Sequence, residues 1–179
     1  MATMTQPSTE QALRSSPNLH DSESSEIAGT MQIVSFHLAD EVFGVAITKV
    51  REIILMCNIT QVPQTPHYVK GLINLRSTVI PVIDLRSLFG LAESDHGQQS
   101  RIMVMQVGSR TVGIIVDGVD EVLRISNKDI APPPPTVSGL GNEYLEGLVR
   151  LEEQLLILLD IDKVLGEESQ ALDAAISAS

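Results

Sequence analysis

The sequence has a single cysteine, Cys57, and no tryptophan among its 179 residues. One thiol cannot form an intramolecular disulfide, which favours a reducing compartment, so we expect a cytoplasmic protein. Aromatic residues make up 3% of the chain, too few for the stacking surfaces that bind single-stranded nucleic acid. Basic residues are scarce too, 12 against 23 acidic ones, giving a net charge of −11. Because such a surface repels phosphate backbones, nucleic acid is not expected as a partner.

Long apolar runs are also missing. The segment MATMTQPSTEQALRSSPNLHDSESSE has neither a basic nor an apolar region of the kind that directs export. No apolar run elsewhere approaches the roughly 20 residues of a membrane-spanning helix, so direct membrane insertion is not expected. The hydrophobic content of 43% is nevertheless that of a globular protein with a core.

Motifs for catalysis and cofactor binding are absent. The chain contains no GxxxxGK[ST], GxGxxG or GxSxG sequence, and its histidines have no nucleophile beside them in any known motif. Asp117, Asp120 and Asp160 are candidates for an ion-binding or enzymatic barrel, but their surroundings lack the spacing of a calcium loop. We therefore expect no catalytic residue, no metal and no cofactor, and keep the ion-binding or enzymatic barrel as an alternative of a different class.

The local patterns are mostly those of β-strands. Apolar side chains alternate along 32–38 and 43–47, which predicts a β-hairpin, and the runs LINL and TVIPVID predict further strands. Pro81 lacks a backbone donor and so predicts a sheet edge or a bulge. Short helices are expected in ITKVREII, after Thr65–Pro66, and in LRSLF, where Asp84 provides the cap.

Two blocks of sequence occur twice. GLINLRSTVIPVIDLRSLFG, from Gly71, aligns without a gap with GLVRLEEQLLILLDIDKVLG, from Gly147. Upstream, FGVAITKVREII, from Phe43, aligns in the same way with VGIIVDGVDEVL, from Val112. Two copies of this length indicate duplicated small domains rather than a repeat array.

The duplication predicts a mainly β protein with short helices. We expect a disordered tail at 1–30, a first β-barrel at 31–91, a linker at 92–100, a second β-barrel at 101–166, and a C-terminal tail with a helical stripe at 167–179. A unit of about 60 residues is marginally stable alone, so the two barrels should pack together and leave a groove between them. Whether the barrels exchange strands is left open by the sequence.

Four blocks, FGVAITKVREI, YVKGLINLRSTVIPVIDLRSLFG, VGIIVDGVDEVL and EYLEGLVRLEEQLLILLDIDKVL, resemble the CheW-like family of chemotaxis coupling proteins. The resemblance runs in order from about 31 to 166, and it implies one CheW-like domain made of two five-stranded SH3-like β-barrels. It also implies a non-enzymatic, cytoplasmic adaptor that couples chemoreceptors, the methyl-accepting chemotaxis proteins, to the histidine kinase CheA in membrane-associated arrays. The implied partners are the regulatory domain of CheA and the cytoplasmic tip of the receptors. A parallel chemosensory pathway controlling twitching, biofilm or second-messenger output is the alternative.

The resemblance also assigns the candidate protein-binding residues. The family sequence K-V-x-E-I falls on 49–53, N-L-R falls on 74–76, and V-G-I-x-V-D-G-V falls on 112–119. On the opposite side, Ile102 would line the groove. The candidates are Ile47, Val50, Glu52, Ile53, Asn74, Arg76, Ile102, Gly113 and Val119.

Two questions about Arg76 stay open at this level. Its guanidinium has the planar geometry to bind a carboxylate on another protein, but it could equally pair within the chain. The family commonly has glycine after N-L-R, whereas this chain has Ser77. Since serine tolerates a positive φ less well than glycine, the turn that presents Arg76 is expected to differ.

Overall fold

The computed structural model describes residues 29–92, 94–133 and 144–166, and these residues form mainly β-strands. The strands are β1 (Thr30–Leu38), β2 (Glu41–Ala46), β3 (Val50–Leu55), β4 (Val69–Leu75), β5 (Thr78–Asp84), β6 (Arg101–Val107), β7 (Arg110–Val116), β8 (Gly118–Ser126), β9 (Ile130–Ala131), β10 (Leu145–Arg150) and β11 (Leu155–Leu159). Helix α1 (Leu85–Leu88) follows β5, 3-10 turns occupy Ile47–Lys49 and Asn127–Asp129, and residues 161–166 are helical. Most of the predicted N-terminal tail and the whole C-terminal tail lie outside the described residues.

The strands form two sheets of the same internal order. One sheet runs β8-β1-β2-β11-β10-β9 and the other runs β3-β6-β7-β5-β4. The sequence repeat equates β1 to β5 with β6, β7, β8, β10 and β11 respectively, so each sheet places the five repeat strands in the order third, first, second, fifth, fourth. This arrangement confirms a mainly β fold of two five-stranded, SH3-like units related by duplication; β9 is an addition to the first sheet.

Strands are exchanged between the two copies of the repeat. The first sheet combines β1 and β2 with strands from the second copy, and the second sheet combines β3 to β5 with β6 and β7. The junctions are the parallel pairs β2–β11 and β5–β7. The expectation that each barrel consists of one continuous segment, 31–91 or 101–166, is therefore wrong. As boundaries of the two copies of the repeat, these limits stay predictions.

Buried apolar side chains form three clusters. Two smaller clusters lie within one sheet each. The largest draws on both sheets, for example on Phe36 and Phe43 from one and on Met103 and Met105 from the other. Sharing this core supplies the burial that a unit of about 60 residues lacks by itself.

Close backbone approaches explain two of the repeated glycines. Gly71 and Gly147 each lie at a β-bulge in the fourth repeat strand. A Cβ on Gly71, which has a φ of +143°, would collide with the backbone of Thr60, and a Cβ on Gly147 would collide with Ile130. The segment before each strand thus passes directly over the glycine, which leaves no room for a side chain.

The predicted hairpin and the strands at LINL and TVIPVID are confirmed as β1–β2, β4 and β5. Asp84 caps α1 as expected, because its carboxylate accepts a hydrogen bond from the Arg86 N–H at 3.0 Å. Two helix predictions are wrong. Most of ITKVREII is the strand β3 after one 3-10 turn, and the residues after Thr65–Pro66 form turns.

Of the two environments predicted for Pro81, the sheet edge is wrong, since β5 lies inside its sheet, whereas a β-bulge does occur in the β4–β5 pair, opposite Val82 and Ile83. The ladder with β7 begins at Val82, so only β4 is paired with Pro81. Within the described ranges, no helix has the length and apolar character needed to cross a membrane.

Candidate protein-binding site

An ion pair joins Glu52 on β3 to Arg76 in the β4–β5 turn. The Arg76 Nη2 atom lies 2.7 Å from the Glu52 Oε2 atom. The Arg76 side chain nevertheless stays 77% exposed, against 24% for Glu52. Arg76 therefore pairs within the chain while presenting most of its guanidinium to solvent.

The turn that carries Arg76 has an uncommon backbone conformation. Leu75 pairs with Thr78 across a two-residue turn, in which Arg76 has a φ of +51° and Ser77 a φ of +68°. Two successive left-handed residues are typical of a type I′ hairpin turn, where glycine and asparagine are favoured. Ser77 thus adopts a conformation that glycine takes without steric cost.

A cleft of about 500 Å³ lies between the two sheets. Ile53 of β3 lines it from the second sheet, and Val119 of β8 lines it from the first. Its other lining residues are His37, Gln99, Arg101, Gly118, Asp120 and Glu121. This inter-sheet cleft brings together two predicted residues that are 66 positions apart in the chain (53 to 119).

The exposed side of β3 carries apolar side chains beyond the cleft, whose own lining is mixed, with Ile53 and Val119 among polar residues. Side chains alternate along this strand, and Ile53 and Leu55 are 41% and 67% exposed. Val122 on β8 is a further exposed apolar side chain. Sequence reasoning missed Leu55 and Val122, although strand alternation from Ile53 to Leu55 was a usable signal.

Four of the predicted protein-binding residues are partly or fully buried, and none of the four lines the cleft. Ile47, in a 3-10 turn, and Val50, at the start of β3, are half-buried against the largest core cluster. Ile102 is 0% exposed and belongs to the core of its own sheet, which corrects the expectation that it lines the groove. Gly113 is buried beside it, since a Cβ there would lie 2.9 Å from the Ile102 Cγ2 atom.

Asn74 is exposed at the far end of β4, where it pairs with Val79. Val79 is itself an exposed apolar side chain that sequence reasoning missed. Asn74 and Arg76 therefore lie at the end of the β4–β5 hairpin, a second surface separate from the lining of the inter-sheet cleft.

Asp117, a candidate of the ion-binding alternative, is held by protein groups. Its carboxylate accepts hydrogen bonds from the Arg86 guanidinium at 2.6 to 2.9 Å and from the Ala39 N–H at 2.7 Å. Burial opposes ionisation of this carboxyl, but the hydrogen bonds from Arg86 and Ala39 outweigh it and hold its pKa below the usual value. The lone pairs that a cation would need are thus directed at Arg86 and Ala39.

The other two acidic candidates also have partners. Asp120 lies 3.0 Å from the His37 Nδ1 atom, and Asp160 accepts a hydrogen bond from the Lys163 N–H at the start of helix 161–166. In the parts of the chain that the structure describes, no three His, Cys, Asp or Glu side chains are grouped so that they could hold a metal ion.

The chain is similar to chemotaxis proteins along most of its length. The model of the CheW-like domain family matches residues 32–169. The chemotaxis protein CheW of Klebsiella aerogenes is 39% identical over 151 residues, which cover 83% of this chain and 91% of that protein. The CheW of Treponema pallidum is 36% identical over 137 residues, covering 74% and 81% of the two chains.

A solved structure has the same fold. The crystal structure of the scaffolding protein TtCheW from Thermoanaerobacter tengcongensis matches with a TM-score of 0.71 at 35% sequence identity. The match covers 75% of this chain and 92% of TtCheW.

Proposed function

Because the chain belongs to the CheW-like domain family of chemotaxis signalling proteins, we propose that it is a non-enzymatic adaptor coupling chemoreceptors to a CheA-type histidine kinase. The receptors are methyl-accepting chemotaxis proteins. In this proposal the adaptor works in the cytoplasm and is recruited to membrane-associated receptor arrays through its two partners.

The inter-sheet cleft is the observation that carries the proposal. It has Ile53 and Val119 on opposite walls among polar and charged residues, and the apolar side chain of Leu55, farther along β3, is exposed as well. Protein interfaces commonly place a few apolar side chains at the centre of a polar rim, which is the composition of this lining. We assign this cleft to the cytoplasmic tip of the receptor.

The end of the β4–β5 hairpin suits the second partner, the regulatory domain of the kinase. Asn74 and Arg76 are exposed there, and Glu52 holds the Arg76 guanidinium in place. Charged groups at the rim of an interface set its register and its choice of partner. The same surfaces would serve a coupling protein of a parallel chemosensory pathway, which only the output of its kinase would distinguish.

Binding titrations of the purified chain against a receptor-tip fragment and against the kinase regulatory domain test the proposal. We expect Ile53→Asp to abolish most receptor binding, because it replaces an apolar contact with a charge that must lose its water on binding, beside the acidic Asp120 and Glu121. Leu155→Asp is the matched control, since Leu155 is a similarly exposed apolar residue on β11, outside the lining of the cleft. Equal receptor affinity of the wild type and Ile53→Asp would refute the assignment of the cleft.

A further inference from the structure

A second cavity, of about 330 Å³, lies beside the Glu52–Arg76 ion pair. We call it the arginine cavity, because the side chains of two arginines line it. The lining residues are Arg51, Glu52, Leu75, Arg76, Thr78, Ile80, Val104 and Thr111. Arg51 occupies the variable position x of the family sequence K-V-x-E-I, so the family motif assigns it no role.

A β-bulge places Arg51 at this cavity. Val50 pairs with Met105 and Glu52 pairs with Val104, so Arg51 is the extra residue of β3. Neighbouring side chains of a regular strand point to opposite faces, whereas a bulge redirects one of them. As a result Arg51 and Glu52 line the same cavity although they are adjacent in sequence.

The cavity has an excess of positive charge and unused hydrogen-bond donors. Within the described part of the chain, the Arg76 guanidinium bonds only to Glu52, and the Arg51 guanidinium bonds only to Thr111 Oγ1, at 3.3 Å. Each guanidinium carries five N–H donors in a planar fork. Two cations and one carboxylate thus face the same space, in a protein whose net charge is −11.

The positive charge is specific to this sheet. In the sequence repeat, the positions of Arg51, Glu52 and Arg76 correspond to Asp120, Glu121 and Glu152. All three counterparts are acidic, so both arginine positions carry the opposite charge in the other sheet. The two arginines are therefore not a consequence of the duplicated fold.

We propose that the arginine cavity is a recognition site for a carboxylate side chain of a protein partner, bound jointly by Arg51 and Arg76. For the identity of that partner the inference rests on the proposed function. A guanidinium fork matches the two oxygens of a carboxylate. Ile80 and Val104, both buried, provide an apolar base against which the methylene groups of a Glu or Asp side chain can pack. Glu52 orients Arg76, and Arg51 determines specificity.

Affinity measurements with Arg51 variants test the inference. Because the end of the β4–β5 hairpin is assigned to the kinase, we expect Arg51→Gln to weaken binding of the kinase regulatory domain by about 10- to 100-fold, the range for a hydrogen bond to a charged group. The dependence of that affinity on salt should become shallower, since one ionic contact is lost. Arg51→Lys should restore only part of the affinity, because an ammonium group lacks the fork. Arg150→Gln, on the exposed side of β10, is the control and should change neither quantity.

A double-mutant cycle adds a readout that a structural role of Arg51 would not affect. If both arginines bind one carboxylate, the combined effect of Arg51→Gln and Arg76→Ala is smaller than the sum of the separate effects on binding. Additive effects, or equal affinities of Arg51→Gln and the wild type for the kinase regulatory domain, would overturn the carboxylate site and leave the adaptor function standing.

A glutamate decapeptide and inorganic phosphate test the cavity independently of either partner. In heteronuclear NMR spectra, the peptide should shift the amide resonances of Arg51, Arg76 and Thr111 in the wild type but not in Arg51→Gln. Shifts caused by phosphate alone, or by neither probe, would contradict a carboxylate site. If the wild type binds neither partner but shows these shifts with the peptide, the adaptor function is refuted and the carboxylate site is supported.

Discussion

The guanidinium of Arg86 on α1 holds the carboxylate of Asp117, which lies between β7 and β8, through bonds of 2.6 to 2.9 Å. The two residues come from different copies of the repeat. The sequence alignment places Asp162 at the position of Arg86. The Asp162 Oδ2 atom lies 2.6 Å from the Nζ atom of Lys49, which follows the residue that aligns with Asp117. Each copy thus ties its helix to the other copy, with the charges reversed.

Replacing Asp117 should destabilise the protein. The side chains of Arg86 and Asp117 are 15% and 23% exposed, so Asp117→Asn leaves a largely buried guanidinium without its counter-charge. We expect a loss of about 1–3 kcal/mol in the free energy of unfolding, measured in urea. Asp162→Asn is the control, because the Lys49–Asp162 pair is more exposed and should contribute at most about 1 kcal/mol. Equal losses in the two variants would contradict this ranking.

The contribution of Asp117 should depend on pH. Its pKa in the folded protein lies below the ordinary value of 3.8, so the ion pair stabilises the fold at pH values above that value and is lost as the pH falls through the lowered pKa. The difference in unfolding free energy between the wild type and Asp117→Asn should therefore be constant between about pH 7 and 5 and shrink below about pH 4. Urea titrations at these pH values measure it, and a difference that grows on acidification would disprove the assignment.

Glycine at position 77 should stabilise the β4–β5 turn. A left-handed conformation costs a non-glycine residue about 1–2 kcal/mol, while glycine itself loses about 0.5–1 kcal/mol more on folding. Ser77→Gly should therefore raise the free energy of unfolding by about 0.5–1 kcal/mol, seen as a higher melting temperature. Ser109→Gly is the matched control, because Ser109 lies in the β6–β7 turn without a positive φ; there glycine should be neutral or destabilising. Stabilisation of both variants alike would rule out the backbone explanation.

Truncation should destabilise the protein strongly at Ile102 and hardly at Ile53. Ile102 is enclosed in the core of its sheet, so Ile102→Ala should cost about 2–5 kcal/mol of unfolding free energy. Ile53 is exposed at the inter-sheet cleft, and Ile53→Ala should change stability by less than about 0.5 kcal/mol. Chemical denaturation gives both values, and a stability loss at Ile53 as large as that at Ile102 would show that Ile53 is a core residue.

Glu52, Ile53 and Arg76 are predicted as site residues through the motifs that carry the family resemblance. The structure brings Glu52 and Arg76 into contact. Ile102 could not be judged in this way, since both faces of β6 are buried. Met103 and Met105 pack in the core between the sheets, while Ile102 and Val104 pack in the other core of their sheet. A strand without a polar face gives no sign of which side chains reach the surface.

The sequence by itself determined most of the strands, the duplication with its paired glycines, and the Asp84 cap, because alternation and capping depend on residues a few positions apart and the repeated blocks align without a gap. Only the tertiary structure decided that β1 and β2 join the strands of the second copy, and that β6 and β7 join those of the first. Equivalent strands of a duplicated sequence present nearly the same edges. Local pairing therefore does not distinguish barrels that exchange strands from barrels that each contain one copy of the repeat. The choice depends on contacts between distant parts of the chain, which bring β3 beside β8 at the inter-sheet cleft and combine β3 to β5 with β6 and β7 around the arginine cavity.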